Sequence, residues 1–114
     1  MLFIDSSHVV RAGGDVPLLF NRLIPGLPAG SMVHVDDVYI PWDYPVSYRK
    51  RLYTEQYVLQ ALLCGSDRFR TVFATHFMGR THGELMSEVI SPSVADDRSH
   101  AGSSYWFTSG GTGR

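Results

Sequence analysis

The chain opens on Met1-Leu2-Phe3-Ile4, a short unbroken apolar run that ends in Asp5-Ser6-Ser7-His8. Such a run reads as a β-strand buried on both faces and leading into a polar loop. A strand of that kind needs neighbours on each side and helices above and below, which points to a layered α/β sheet. Chains rarely open inside a buried parallel strand, so the sequence reads as cut from something longer. Its 114 residues leave room for one domain at most.

Further along, the pattern alternates. Val9 to Gly14 reads as a loop with two glycines, and Asp15 is placed to cap a helix running to about Leu23, with Pro17 tolerated in its first turn. Leu18, Leu19 and Leu23, with Val16 and Phe20, form the apolar side. Pro25 to Gly30 makes a turn, and Met32-Val33-His34-Val35 is a second strand ending in Asp36 and Asp37. Two prolines and three large aromatics keep Val38–Pro45 out of regular structure. From about Ser47 to Leu63 the period is helical, with Leu52, Gln56, Leu59 and Leu63 on one side and Tyr53, Tyr57 and Val58 beside it. Gly65 stops that helix, and Phe69–Thr75 alternates as a strand. Gly79–Ser87 suggests a short helix, Ser91–Ser99 a loop, Ser103–Thr108 a last strand and 110–114 a flexible tail. Strand, helix, strand, helix, strand, loop, strand predicts a sheet that is parallel at first, with the final strand returning antiparallel.

Composition closes off several functions. Eleven acidic residues against ten basic ones leave a net charge of -1, which gives no basic footprint for nucleic acid. Cys64 is the only cysteine, so no disulfide framework or cysteine metal cluster is open to the chain, and it reads as a small core residue. No apolar run has the length of a membrane span, and Asp5 interrupts the first run too early for a signal peptide; a cytoplasmic protein is expected.

In open α/β sheets, ligands bind beyond the carboxyl ends of the parallel strands. A right-handed crossover between the first two strands would bring Asp5, His8, Asp36 and Asp37 to one sheet edge. Carboxylates there suit a divalent cation, and His8 suits proton transfer near neutral pH. The plainer alternatives are that Asp36 or Asp37 caps a turn and that His34, inside an apolar strand, is buried and hydrogen-bonded. His76, His82 and His100 lack ligand spacing and read as solvated loop residues. Tyr53, Tyr57 and Phe69 read as core.

Four segments, taken in order, resemble a known family. They are Leu2–His8, Gly30–Val38, Ile40–Pro45 and the Glu55-Gln56-Tyr57 helix with Leu59 and Gln60. The series is similar to the C-terminal half of class I methyltransferases dependent on S-adenosyl-L-methionine (S-adenosylmethionine), closest to the Rossmann-like group of the methyltransferase domain 24 type. In that group the fourth strand ends in an "IDSSH"-like motif and the fifth in "HD" or "DD". A "PWDYP"-like segment and a helix with "NEQY" follow. The likeness covers about residues 1–78 and returns at Ser103–Thr108.

The resemblance implies a partial Rossmann-like sheet, strands four to seven with flanking helices, over residues 1–109. It implies a truncated methyltransferase whose complete form methylates a small-molecule acceptor, since the glycine-rich cofactor loop belongs to the earlier strands. Asp5, Ser6, Ser7 and His8 would face the S-adenosylmethionine, and Trp42 and Tyr44 would lie near the acceptor. His8 or His34 is the candidate base. Related enzymes hold magnesium (Mg2+) at these strand ends, which points to Asp5, Asp36 and Asp37 as metal ligands. Two further readings stay open: a metal-dependent hydrolase on Asp5, His8, Asp36 and Asp37, and a non-catalytic module completed by a partner. The first strand, open on one side, is expected to drive association through its edge, as a homo-oligomer.

Overall fold

The computed structural model describes residues 1–89 and 102–110. Strands β1 (Leu2–Ile4), β2 (Met32–Val35), β3 (Phe69–Ala74) and β4 (Tyr105–Ser109) form one mixed sheet in the order β1-β2-β4-β3. β1 pairs parallel to β2, with Leu2 opposite Val33 and Ile4 opposite Val35. β4 runs antiparallel to both β2 and β3, which leaves β1, β2 and β3 pointing the same way. The final strand therefore does return antiparallel, and it does so inside the sheet rather than at its edge. It covers Tyr105–Ser109 where Ser103–Thr108 was expected.

One face of the sheet holds the core. Ile4, Val33, Val35, Phe69, Tyr105 and Phe107 meet Val16, Phe20 and Ile24 from the first helical segment and Leu59 from the second helix. Tyr105, Phe107 and Ser109 are buried while Trp106 and Thr108 are half-buried, which is the two-residue period of a strand. The opposite face carries a row of stacked rings, in which Phe3 lies 4.1 Å from His34 and His34 lies 4.5 Å from Trp106.

The first helical segment departs from the expected apolar side. Helix α1 (Asp15–Leu18) passes into a π turn over Leu19–Leu23 and a 3-10 turn over Ile24–Gly26. Its buried stripe is Val16, Phe20 and Ile24, whereas Leu18 and Leu23 are exposed. Four residues overshoot one α turn and fall short of one π turn, so the two deviations offset and positions four apart stay over the sheet. The cap also differs. Gly14 precedes the helix, and the Asp15 carboxylate instead accepts hydrogen bonds from the Ser7 amide and hydroxyl.

The second helix, α2 (Glu55–Gly65), begins well after Ser47. Val46–Arg51 is a 3-10 turn with no buried residue, so nothing holds it to the core as a continuation of α2. Leu52 then sits at φ 57°, a left-handed conformation that ends any helix, and its side chain is exposed rather than in the stripe. Removing that β-carbon is expected to relieve strain at little cost in packing. Leu52→Gly should raise stability by about 0.5–1 kcal/mol in a denaturant melt. A loss of that size would mean the leucine packs against the domain.

Beyond β3 there are two helices rather than one, α3 (Thr75–Thr81) and α4 (Gly83–Val89). His76 lies in α3, half-buried against Tyr39 and Trp42, not in a solvated loop. Cys64 is exposed, where it lines an open cavity with Thr71 and Tyr105, and Tyr57 is exposed too, on the wall of a cleft with Tyr44; Phe69 is core as expected. The loop expected at 91–99 and His100 fall outside the described residues. So does the expected tail, except Gly110. Its amide donates to the Arg68 carbonyl, and a β-carbon there would stand 2.9 Å from that oxygen. The Arg68 side chain donates to the carbonyls of Pro25, Leu27 and Gly110, which ties the end of the first helical segment to the sheet.

Candidate active site

Because β1 and β2 are parallel, their carboxyl ends open on the same edge of the sheet. β1 continues into Asp5–His8 and β2 into Asp36–Asp37. His8 and Asp37 both adopt left-handed backbone, at φ 60° and 57°. Two such non-glycine residues side by side are a mark of a constrained site.

His8 is the centre. Its side chain is nearly enclosed, and its carbonyl accepts the Thr54 and Glu55 amides, which docks the start of α2 onto it. Glu55, the first residue of that helix, is 1% exposed and holds His8 Nδ1 at 3.0 Å. A helix start favours a carboxylate, which eases the burial of this one. The other Glu55 oxygen accepts the Ser6 hydroxyl, and the Ser6 oxygen accepts the His8 amide at 3.0 Å. An ionised carboxylate only accepts, so Nδ1 carries the hydrogen and Nε2 is left to face outward.

At Nε2 stand two further acids, Asp5 at 3.2 Å and Asp37 at 3.4 Å. Burial alone would push the imidazole down. The Glu55 hydrogen bond and the charges of Glu55, Asp37 and Asp5 outweigh burial and raise its pKa above the usual 6.5. Asp37 is raised as well, by burial first and then by Asp36, against the pull of His8 and the Ser103 hydroxyl. The Asp5 side chain is 65% exposed, which marks the open side of the site.

The expected residues do not all gather. Asp5, Ser6, His8 and Asp37 converge. Asp36, next in sequence to Asp37, makes no side-chain hydrogen bond or ion pair with this group among the described residues, although its charge adds to burial in raising the Asp37 pKa. No three or more of the described His, Cys, Asp and Glu side chains are placed to hold a metal. Of the expected magnesium ligands Asp5, Asp36 and Asp37, Asp5 and Asp37 are paired with His8 Nε2. Ser7 points to Asp15, so it shapes the loop.

His34 is buried as expected, but the expected hydrogen bond is missing at Nδ1. Among the described residues its Nδ1 has no partner, and burial lowers its pKa. It sits between the Phe3 and Trp106 rings in mid-strand, away from the cluster at the strand ends. Trp42 turns toward α3, where it meets His76 and Phe77 and the Arg80 guanidinium lies 4.5 Å from its ring. Tyr44 stays closer to the cluster. It packs on Tyr53, whose ring is 4.6 Å from His8, and its hydroxyl accepts the Gln56 amide.

Glu55 and Gln56 carry roles that sequence reasoning did not assign. Gln56 is fully buried, accepts the Tyr39 amide and donates to the Trp42 carbonyl, fixing the aromatic loop. The one signal in the sequence was their place at the start of a helix in the resembling segments. No described helix is long and apolar enough to cross a membrane. No family model, curated protein or solved structure matches the chain.

Proposed function

We propose that this chain carries the acceptor side of an S-adenosylmethionine-dependent methyltransferase site on a Rossmann-like sheet, with His8 as general base. The observation that carries the reading is the His8 imidazole, held by buried Glu55 at the joined carboxyl ends of two parallel strands. Three parallel strands with a reversed last strand agree with what the resemblance implies.

S-adenosylmethionine, when bound, supplies an electrophilic methyl group. The chain's own part is to prepare the oxygen that takes it. A hydroxyl of a small-molecule acceptor enters on the exposed side, past Asp5, and donates to His8 Nε2. Nε2 would take the proton as the oxygen bonds to the methyl carbon, whose bond to the sulfonium sulfur would break and leave a neutral thioether. The Glu55 carboxylate stabilises the imidazolium that results and keeps the ring in the right tautomer. Ser6 holds Glu55 in turn. Of the residues expected to face the cofactor, Asp5 pairs with His8 through one oxygen and is otherwise exposed, whereas the Ser6 and Ser7 hydroxyls are already committed to Glu55 and Asp15.

The test is methyl transfer from tritiated S-adenosylmethionine by a protein carrying these residues together with a cofactor-binding half. His8→Gln is expected to lower kcat by about 100-fold to 10,000-fold with little change in KM. The wild-type rate should rise with pH, with its midpoint above 6.5, because Nε2 must lose its proton first. Full activity in His8→Gln would overturn the assignment.

A further inference from the structure

Tyr53 is shared between His8, 4.6 Å away, and a cleft of about 520 Å3 beside it. The cleft runs between the aromatic loop, the 3-10 turn Val46–Arg51 and the start of α2. Tyr44, Tyr48, Tyr53 and Tyr57 line it, with Asp43 and Arg49 in the same wall. The tyrosines brace one another edge to face, at 5.8 Å for Tyr44–Tyr53, 5.6 Å for Tyr44–Tyr57 and 5.7 Å for Tyr48–Tyr53. Rings held this way give a rigid wall, and the volume is that of a small-molecule site.

Tyrosine walls accept either a planar ring or a cation, so the charges decide. Asp43, the one acid in the wall, is already engaged: its carboxylate accepts the Tyr57 hydroxyl and the Tyr44 amide. Arg49 makes no ion pair among the described residues, and its charge reaches Asp43 only at longer range, helping the Tyr57 and Tyr44 hydrogen bonds to hold that carboxyl low. Lys50 and Arg51 follow directly, and the Arg51 guanidinium lies 3.9 Å from the centre of the Tyr48 ring. A cationic ligand would meet Arg49 in the wall, with two more positive charges next to it in the chain, and find one ring face covered. A ring that carries an anion would meet the remaining faces and a guanidinium matched to a carboxylate.

We propose that this cleft binds a planar aromatic carboxylate, with its ring against the tyrosines and its carboxylate on Arg49. Such a ligand lies one tyrosine ring from His8. Naming it as the methyl acceptor rests on the methyltransferase reading; its binding does not.

Salicylate titrated into the full chain, without S-adenosylmethionine, tests this by saturation-transfer NMR. Saturable binding is expected, weakened about tenfold by Arg49→Gln, the loss of one charged hydrogen bond. Lys50→Gln, outside the wall, should weaken it less. Tyr53→Leu should weaken binding and Tyr53→Phe should preserve it, with thermal melts confirming that each variant is folded. Benzyltrimethylammonium should bind more weakly than salicylate. No saturable salicylate binding, tighter binding of the ammonium ion, or indifference to Arg49→Gln would overturn the proposal. Salicylate that binds as expected here but is not methylated by the protein that also carries the cofactor-binding half would count against the methyltransferase reading alone.

Discussion

Glu55→Ala is expected to cost about 3–5 kcal/mol of folding stability, as happens when one member of a buried charged pair is removed. Glu55 is 1% exposed and His8 4% exposed, so water cannot replace the lost carboxylate at Nδ1. The Ser6 hydroxyl loses its acceptor in the same step. A domain of this size has roughly 5–15 kcal/mol in all, so the variant should sit near its unfolding threshold at room temperature. Glu55→Gln keeps the shape and one acceptor oxygen, and should cost only about 1–2 kcal/mol. Urea denaturation of the pair measures both. Equal, small losses would mean that Glu55 does not hold the histidine.

Phe107→Ala is expected to cost a similar amount, about 3–5 kcal/mol, for a different reason. Phe107 is fully buried in β4, the strand between β2 and β3. It lies opposite Val33 on one side and Thr71 on the other, and its ring meets Phe69 edge to face at 5.9 Å. Truncation leaves a cavity at the centre of the sheet that short, constrained strands cannot close. Trp106→Ala is the comparison on the opposite face, where the half-buried ring can be replaced in part by water. Its cost should be clearly smaller. An equal cost would mean that the stacked row at Phe3, His34 and Trp106 is as much a core as the other face.

The strands were legible because their signals are local. An apolar run followed by polar residues marks β1 and β2, and the crossover rule puts their ends together. That sufficed to point to Asp5, His8, Asp36 and Asp37. It could not separate Asp37 from Asp36, since the difference is the left-handed turn at Asp37, which no composition rule marks. Glu55 stayed without a role because a glutamate at a helix start ordinarily faces water, and only the docking of α2 on the His8 carbonyl buries it. The break at Leu52 was hidden for a related reason. Leucine is a good helix former, and the apolar period of α2 extends backward through it by coincidence. The stripe on the first helical segment was misjudged because a π turn shifts the period, and nothing in Leu19–Leu23 announces one.

The two histidines at the centre of the reading are set in opposite directions, and pH separates them. His8 is raised above 6.5, so its pairing stabilises the fold fully below that pH and the contribution is lost as pH rises through the folded value. His34 is lowered, so folding favours its neutral form and stability is lost as pH falls below 6.5. Long-range proton–nitrogen NMR of the imidazoles, followed across a pH titration, reads each ring separately. The account predicts a His8 ring that titrates above 6.5, keeps its hydrogen on Nδ1 once neutral, and moves down in Glu55→Gln. A His8 ring that titrates at or below the ordinary histidine value, or carries its neutral hydrogen on Nε2, would contradict it.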